Sequence, residues 1–454
     1  MKILLVNTNQ LRSPDPVPPI GIIYVAGALR KAGHECLIFD LNFLADFMDL
    51  LQEEIRSFNP DVIGLSLRNI DNTAFPHSQF FVDHASKIVD LCRSTKADST
   101  IVMGGSGFSL FPELLIERLD IDYGIAGEGE NEMQWLLQQI EAGKPPETKL
   151  IKANSAEVNM DEMIPAWDLV DTGTYFREGG SLNIQTKRGC RYKCTYCTYP
   201  LLEGVAVRQR DPVSVVDEME HCNKEYAVDY FFFVDNVFNY PEAHSISICK
   251  EILKRKLKIS WTAYLTPRIS PTYRRQSSPD ELYTLYKEAG CKAIDFGTDA
   301  MNDIGLGSMA KGFTIDDINE CSAMCRKHKI KFNHSLIFGA PGETVESTEE
   351  TISNIIATQP TAVIASVGIR LYPNTPVANK LIKQGWIKAE EITVEPMFYI
   401  EESIKEYLME RLKEVSKQNQ NWVIPGLNIK MNYPNIFSQL RAKGVKGPMW
   451  KMLG

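Results

Sequence analysis

From residue 1 to about 142, short apolar runs alternate with amphipathic segments. The apolar runs fall at 2–8, 35–41, 61–67, 99–105 and 122–127, and helical periodicity appears at 21–32, 43–58, 79–94 and 131–142. Such alternation predicts a doubly wound, mainly parallel sheet that binds its ligand outside the carboxyl ends of the strands. Those ends fall at 7–10, 66–69, 104–107 and 127–130. They are rich in small and polar residues, as a close-fitting ligand floor requires.

Periodicity is lost from 143 to 180, where Lys144, Pro145, Pro146, Pro165, Gly173, Gly179 and Gly180 mark a linker. It returns at Ser181. Strands are predicted at 181–187, 230–236, 258–265, 292–298, 331–339 and 362–372, with helices at 212–225, 241–255, 278–289, 315–329, 345–358 and 375–384. Six β/α units in a row predict a partial (β/α)₆ barrel, open on one side, with its site at the carboxyl ends of the strands. The fold class expected is therefore α/β. A Rossmann-like domain (1–142) and a linker (143–180) precede the barrel (181–384) and a small C-terminal extension (385–454). That extension holds one charged amphipathic helix at 401–418 and a tail rich in Asn, Pro and Gly.

With 454 residues, 44% hydrophobic and 24% charged, the chain has ordinary globular composition. No apolar run approaches the roughly 18 residues of a membrane span. The opening MKILLVNTNQ reads as a buried strand, because Asn and Gln interrupt it too early for a secretion signal. A cytoplasmic location is expected. A net charge of −9, from 49 basic and 58 acidic residues, argues against a nucleic-acid partner held by bulk electrostatics.

Ten cysteines in a cytosolic chain of this length should be free thiols, catalytic groups or metal ligands. Seven are scattered: Cys36, Cys92, Cys222, Cys249, Cys291, Cys321 and Cys325. The other three, Cys190, Cys194 and Cys197, follow the first barrel strand in Lys187-Arg188-Gly189-Cys190-Arg191-Tyr192-Lys193-Cys194-Thr195-Tyr196-Cys197. Thiolates suit zinc or an iron–sulfur cluster. A structural zinc wants a fourth protein ligand, and none lies nearby; a cubane cluster held by three thiolates keeps one iron open. The flanking Lys187, Arg188, Arg191 and Lys193 would offset cluster charge.

Cys-x₃-Cys-x-aromatic-Cys at this place resembles the radical S-adenosylmethionine (SAM) enzymes. The resemblance implies a [4Fe–4S] cluster on Cys190, Cys194 and Cys197, with SAM chelating the fourth iron. It extends along the barrel. Tyr196 would neighbour the SAM adenine. Asp235 and Asn236, after the second strand, would receive the SAM amino group, although Asp235 also reads as a helix cap before Pro241. Gly297-Thr298-Asp299-Ala300 stands where relatives often carry Gly-x-Glu-Ser for the ribose and carboxylate. Ser335 on the fifth strand and Arg370, Leu371 and Tyr372 on the sixth complete the implied SAM contacts. The Gly339-Ala340-Pro341-Gly342-Glu343-Thr344 turn belongs to the same pattern, and reads equally as a tight barrel corner.

The first domain resembles the cobalamin-binding domain that precedes the barrel in one radical-SAM subgroup. The matching pieces are Pro18-Pro19-Ile20-Gly21, Gly104-Gly105 and Gly127-Glu128-Gly129-Glu130. Gly21, Ser66, Leu67, Arg68, Gly104, Gly105, Ser106, Gly127, Glu128 and Gly129 are the cobalamin contacts this implies. Mutase-type domains place Asp-x-His-x-x-Gly after the first strand; here the chain reads Asn9-Gln10-Leu11-Arg12-Ser13-Pro14. The cobalamin is therefore expected base-off, without a histidine axial ligand. Arg68 would sit beneath the cobalt, where a cation disfavours coordination, or else at the surface or against a corrin amide.

The function this implies is a cobalamin-dependent radical SAM methyltransferase acting on an unactivated carbon or on phosphorus. One SAM remethylates cob(I)alamin; another yields the 5′-deoxyadenosyl radical that takes a substrate hydrogen. A radical SAM oxidoreductase, cyclase or dehydratase with the same domains is the alternative, and a corrinoid carrier protein is the alternative from another class. The substrate is open among small molecules, lipids and peptide side chains. An external electron donor such as flavodoxin or ferredoxin is implied.

Overall fold

The structure is a computed structural model, which describes residues 1–154, 158–429 and 434–453. Strands β1 (Lys2–Asn7), β2 (Glu35–Asp40), β3 (Val62–Ser66), β4 (Thr100–Gly104), β5 (Tyr123–Ala126) and β6 (Leu150–Lys152) form one parallel sheet in the order β2-β1-β3-β4-β5-β6. Helices Ile20–Lys31 and Gly129–Glu141 pack together, as do Phe47–Phe58 and Val82–Thr95. The central β1 is buried from Ile3 to Asn7, which explains its unbroken apolar run. β6 lies inside the expected linker: Ile151 is buried and pairs with Ile125, but three residues are too few to show a period. The helix Thr172–Gly179, capped by the Asp171 side chain, also falls there.

The second sheet begins with β7 (Leu182–Ile184). A two-stranded antiparallel ribbon of β8 (Lys187–Arg188) and β9 (Arg208–Gln209) flanks the cysteines. β10 (Tyr230–Phe233), β11 (Ser260–Leu265), β12 (Cys291–Asp299), β13 (Lys331–Phe338) and β14 (Ala362–Val367) follow. β15 (Ile369–Arg370) and β16 (Phe398–Tyr399) make a second ribbon, and β17 (Trp422–Val423) comes last. Seven strands run parallel in the order β17-β14-β13-β12-β11-β10-β7, one more than the six predicted. The extra strand, β17, is two residues long and comes from the extension. The predicted sixth strand is cut in two at Gly368, which adopts φ +76° and donates to the Phe338 carbonyl at 2.7 Å. Capping boxes at Ser278 and Glu281, and at Thr314 and Asp317, fix two helix starts on the barrel wall.

The tail plugs the amino-terminal end of the barrel. Trp450 packs with Ala293 and Ala362, and its indole N–H donates to Asp295 at 2.9 Å. Arg441 donates to Asp15 at 2.6 Å and so ties that plug to the first domain. Among the described residues no helix is long and apolar enough to cross a membrane.

Candidate functional site

The cysteine loop is fastened on several sides. Gly189 adopts φ +89°, and a Cβ there would stand 2.1 Å from the Ala206 carbonyl oxygen, so only glycine lets β9 pack this closely. Its N–H donates to Glu203 at 2.9 Å, and the Cys190 N–H donates to the Gly204 carbonyl at 3.1 Å. Thr195 donates from its N–H to Met309 and from its hydroxyl to Ser308, both at 3.1 Å, and accepts from Val377 at 2.9 Å. Burial pushes all three thiols up, Cys197 to about 12, and the three lie close enough to act on one another. Left alone they are protonated; a soft metal would deprotonate them. Three thiols without a fourth Cys or His nearby in the sequence fit a cubane cluster with one open iron better than a structural zinc, which takes four protein ligands.

Beside the thiols lies a group that the sequence reading missed. Lys311 is 5% exposed; its ammonium pairs with Asp299 and donates to the Tyr196 hydroxyl at 3.3 Å, while Tyr196 donates to the same carboxylate. Burial opposes the lysine charge, but Asp299 and Cys194 outweigh it and hold the ammonium pKa up. Lys311 in turn pulls against the burial that raises Cys194 and Cys197. Asp299 reaches it because β12 shifts register between Gly297 and Asp299, and Asp299 itself is left-handed at φ +65°.

Several expected SAM contacts are placed otherwise. Asp235 is 1% exposed and its oxygens are taken up by Thr186 (N–H, 2.7 Å; hydroxyl, 2.5 Å) and the Lys187 N–H at 3.2 Å, so it braces the strand leading into the cysteines and caps nothing before Pro241. Asn236 donates to Glu203 at 2.7 Å, supporting the carboxylate that holds Gly189. The Thr298 hydroxyl bonds His334 at 2.7 Å, and His334 reaches Ser322 on the outer helix Ile315–Lys327; that face of β12 looks away from the lumen. Arg370 donates to Asp71 of the first domain at 2.9 Å, Leu371 is buried in the core, and the Tyr372 ring lies 6.1 Å from Phe111. Asp235, Asn236 and Thr298 thus find their partners within the barrel, whereas Arg370 and Tyr372 meet the first domain. Ser335 shares the lumen face with Asn333, and Gly297 has no atom within 4 Å of where a Cβ would stand. Space for a ligand therefore exists at the top of β12 and β13.

The carboxyl edge of the first sheet is similarly mixed. The Ser66 carbonyl accepts from the Thr8 hydroxyl at 2.8 Å, and buried Leu67 accepts from Gly107 at 2.9 Å and donates to Gly104 at 2.9 Å. A Cβ on Gly105 (φ +100°) would stand 2.7 Å from the Leu67 carbonyl oxygen, so that glycine serves the backbone crossing. The Ser106 hydroxyl donates to the Arg68 carbonyl at 2.6 Å, and Gly127 (φ +99°) donates to Ser109 at 2.9 Å. Gly129 opens its helix against Val25, and Gly21 faces open space. Glu128 is held within the protein. It accepts from Arg188 at 2.8 Å and from Arg208 at 2.9 Å, while Arg188 also donates to Glu130 at 2.6 Å. Glu128 thus belongs to a buried ion-pair knot between the domains.

Arg68 has no carboxylate partner among the described residues. The groups that act on it are the phenols of Tyr199, Tyr264 and Tyr175, and burial lowers its pKa. Tyr199 and Tyr264 keep 45% and 43% of their surface uncovered. Yet burial pushes the Tyr199 phenol up to about 12, and that of Tyr264 higher. Both stand close enough to Arg68 for the phenols to act on its guanidinium. A histidine also reaches this edge from far along the chain: His84 bonds the Thr8 backbone, and its Nε2 has no partner.

The family described as B12 binding domain matches residues 10–137, and the Radical SAM superfamily matches 184–355. The chain belongs to the radical SAM superfamily, with a B12 binding domain ahead of its radical SAM domain. Its cofactors are thus a [4Fe–4S] cluster, SAM and cobalamin, and it needs an outside reductant. The cysteine loop, the open lumen at Gly297 and the sheet edge around Arg68 fit these three groups. This radical SAM chain is 26% identical over 451 residues to the tryptophan 2-C-methyltransferase of Streptomyces laurentii, covering 84% of this chain and 74% of that protein. It is 25% identical over 377 residues to the anaerobic magnesium-protoporphyrin IX monomethyl ester cyclase of Rubrivivax gelatinosus, covering 77% and 65%. The solved structure of the radical SAM methyltransferase TsrM from Kitasatospora setae, with tryptophan and a SAM analog bound, matches its fold. The TM-score is 0.86 at 24% identity, covering 100% of this chain and 97% of that one.

Proposed function

We propose that this chain is a cobalamin-dependent radical SAM methyltransferase that delivers a methyl group to an unactivated carbon or phosphorus centre. One observation carries the reading. The helix Tyr199–Leu202, which starts two residues beyond Cys197, packs against Ser106–Leu110 and brings Tyr199 close enough to Arg68 to act on it, so the carboxyl edge of the first sheet and the cysteine loop stand side by side. When bound, the cofactors supply one-electron cleavage of SAM and carriage of a methyl group.

The chain's own residues do the rest. Cys190, Cys194 and Cys197 would hold the cluster, and Lys311 would offset its charge. Tyr196, fixed by Asp299, would stand beside SAM, whose other contacts would be Ser335 and the backbone at Gly297. Arg68 would lie beside the corrin and, protonated at any working pH, would offer the cobalt no lone pair. Gly104 and Ser106 would meet the corrin through backbone. The tyrosines around Arg68 would exclude water from the reacting groups. Residues 1–142 would form the cobalamin domain, with β6 added to its sheet, and 181–384 the barrel. The electron would come from a flavodoxin or ferredoxin.

Relatives named methyltransferase and cyclase both align over most of the chain, so product mass is the deciding experiment. Incubation with methyl-deuterated SAM and candidate substrates should give a product that gains one labelled methyl. A product that changes mass without the label would favour the cyclase or oxidoreductase reading.

A further inference from the structure

The surface beside the cysteine loop offers an entry point for the electron. Arg191 and Lys193, both within the loop, are exposed, and Arg268 lies close by, donating to the Gly312 carbonyl at 2.5 Å. None of these three cations forms an ion pair among the described residues. Arg191 lines an open groove together with Val205, Val207, Gln209, Tyr240 and Pro241, a lining with one cation and no carboxylate, and Arg268 acts on Tyr192, whose ring lies 5.7 Å from that of Tyr240. Val205 in that lining is 68% exposed, so apolar surface stands free beside the exposed Arg191. The chain as a whole carries −9.

The groove also has a short route inward. The Gly204 carbonyl, next to Val205, accepts the Cys190 N–H at 3.1 Å. A protein seated on Val205 is therefore one hydrogen bond from a cluster ligand.

We propose that this groove is the docking site of a small acidic one-electron carrier protein, a reading that rests on the cluster assignment above. The carrier loses one electron and the [4Fe–4S]²⁺ cluster gains it, becoming [4Fe–4S]⁺; no bond or proton changes. Charge complementarity selects the partner: against a net charge of −9, an acidic carrier is steered to the exposed cations of the loop that carries the thiols.

The test is the rate of cluster bleaching under anaerobic mixing, with reduced flavodoxin as one reductant and dithionite as the other. In the wild type the flavodoxin rate should fall as salt is raised, because screening shortens the reach of the attraction. Val205→Glu and, on the neighbouring strand, Gln209→Glu should each slow flavodoxin reduction about tenfold while leaving dithionite reduction unchanged. The second variant decides the matter should the first lose iron. Flavodoxin rates that ignore both salt and these substitutions overturn the docking site. A reconstituted wild type without about four irons overturns the cluster assignment first, and the docking site with it.

Discussion

Glu128 accepts from Arg188 at 2.8 Å, and Arg188 stands two residues before Cys190. Both side chains are buried, at 5% and 7% exposure. The glycine-rich turn of the B12 binding domain thus grips the strand that delivers the cysteines, with Glu130 and Arg208 completing the knot. Removing one member leaves buried charge uncompensated. Glu128→Gln should destabilise the chain by about 3 kcal/mol. Urea unfolding should show this, together with poorer iron incorporation.

Lys311 supplies a second test. An ammonium beside cluster thiolates favours the more negative, reduced state of the cluster. Lys311→Met should therefore make the cluster harder to reduce, and Lys311→Arg should restore most of the shift. A redox titration followed by electron paramagnetic resonance reads both. Unchanged potentials in the methionine variant would remove Lys311 from the cluster's surroundings.

Much of this was legible in the sequence, for a physical reason. Long buried strands and full-length helices carry a period, and three clustered cysteines with no fourth ligand nearby carry a chemistry, so the two sheets and the cluster loop emerge from the residues alone. Lys311 does not, because it lies over a hundred residues from the thiols and no spacing marks it. Asp235, Thr298, Arg370 and Glu128 sit at strand ends where ligand contacts are expected. Which way each side chain turns depends on a neighbour in another element: Thr186, His334, Asp71 and Arg188 respectively. β6 and β17 are too short to show alternation at all.

Asp295 links stability to pH. Burial raises its carboxyl from 3.8 to about 7, against donations from Asn333, Trp450 and Thr262. Between these two values the folded chain keeps a proton that the unfolded chain has lost. Its contribution to stability is therefore full below about pH 4 and declines as pH rises toward 7. Asp295→Asn should flatten this part of the profile. Unfolding midpoints of wild type and variant across that window would test it, and parallel profiles would contradict it.

At the cobalamin edge, Arg68 and His84 make opposite predictions. With Arg68 beneath the metal, the cob(II)alamin spectrum should show no nitrogen superhyperfine splitting, and His84→Ala should leave it unchanged. Arg68→His should introduce such splitting by permitting coordination. Nitrogen splitting in the wild type that disappears in His84→Ala would assign the axial position to the histidine instead.

The central claim is that SAM and a bound corrinoid exchange a methyl group on this chain, and no substrate is needed to test it. Reconstituted protein carrying cobalamin, reduced to cob(I)alamin and given methyl-deuterated SAM, should yield methylcobalamin bearing the label, as read by mass spectrometry of the extracted corrinoid. Bound cobalamin that stays unlabelled under those conditions would contradict the account.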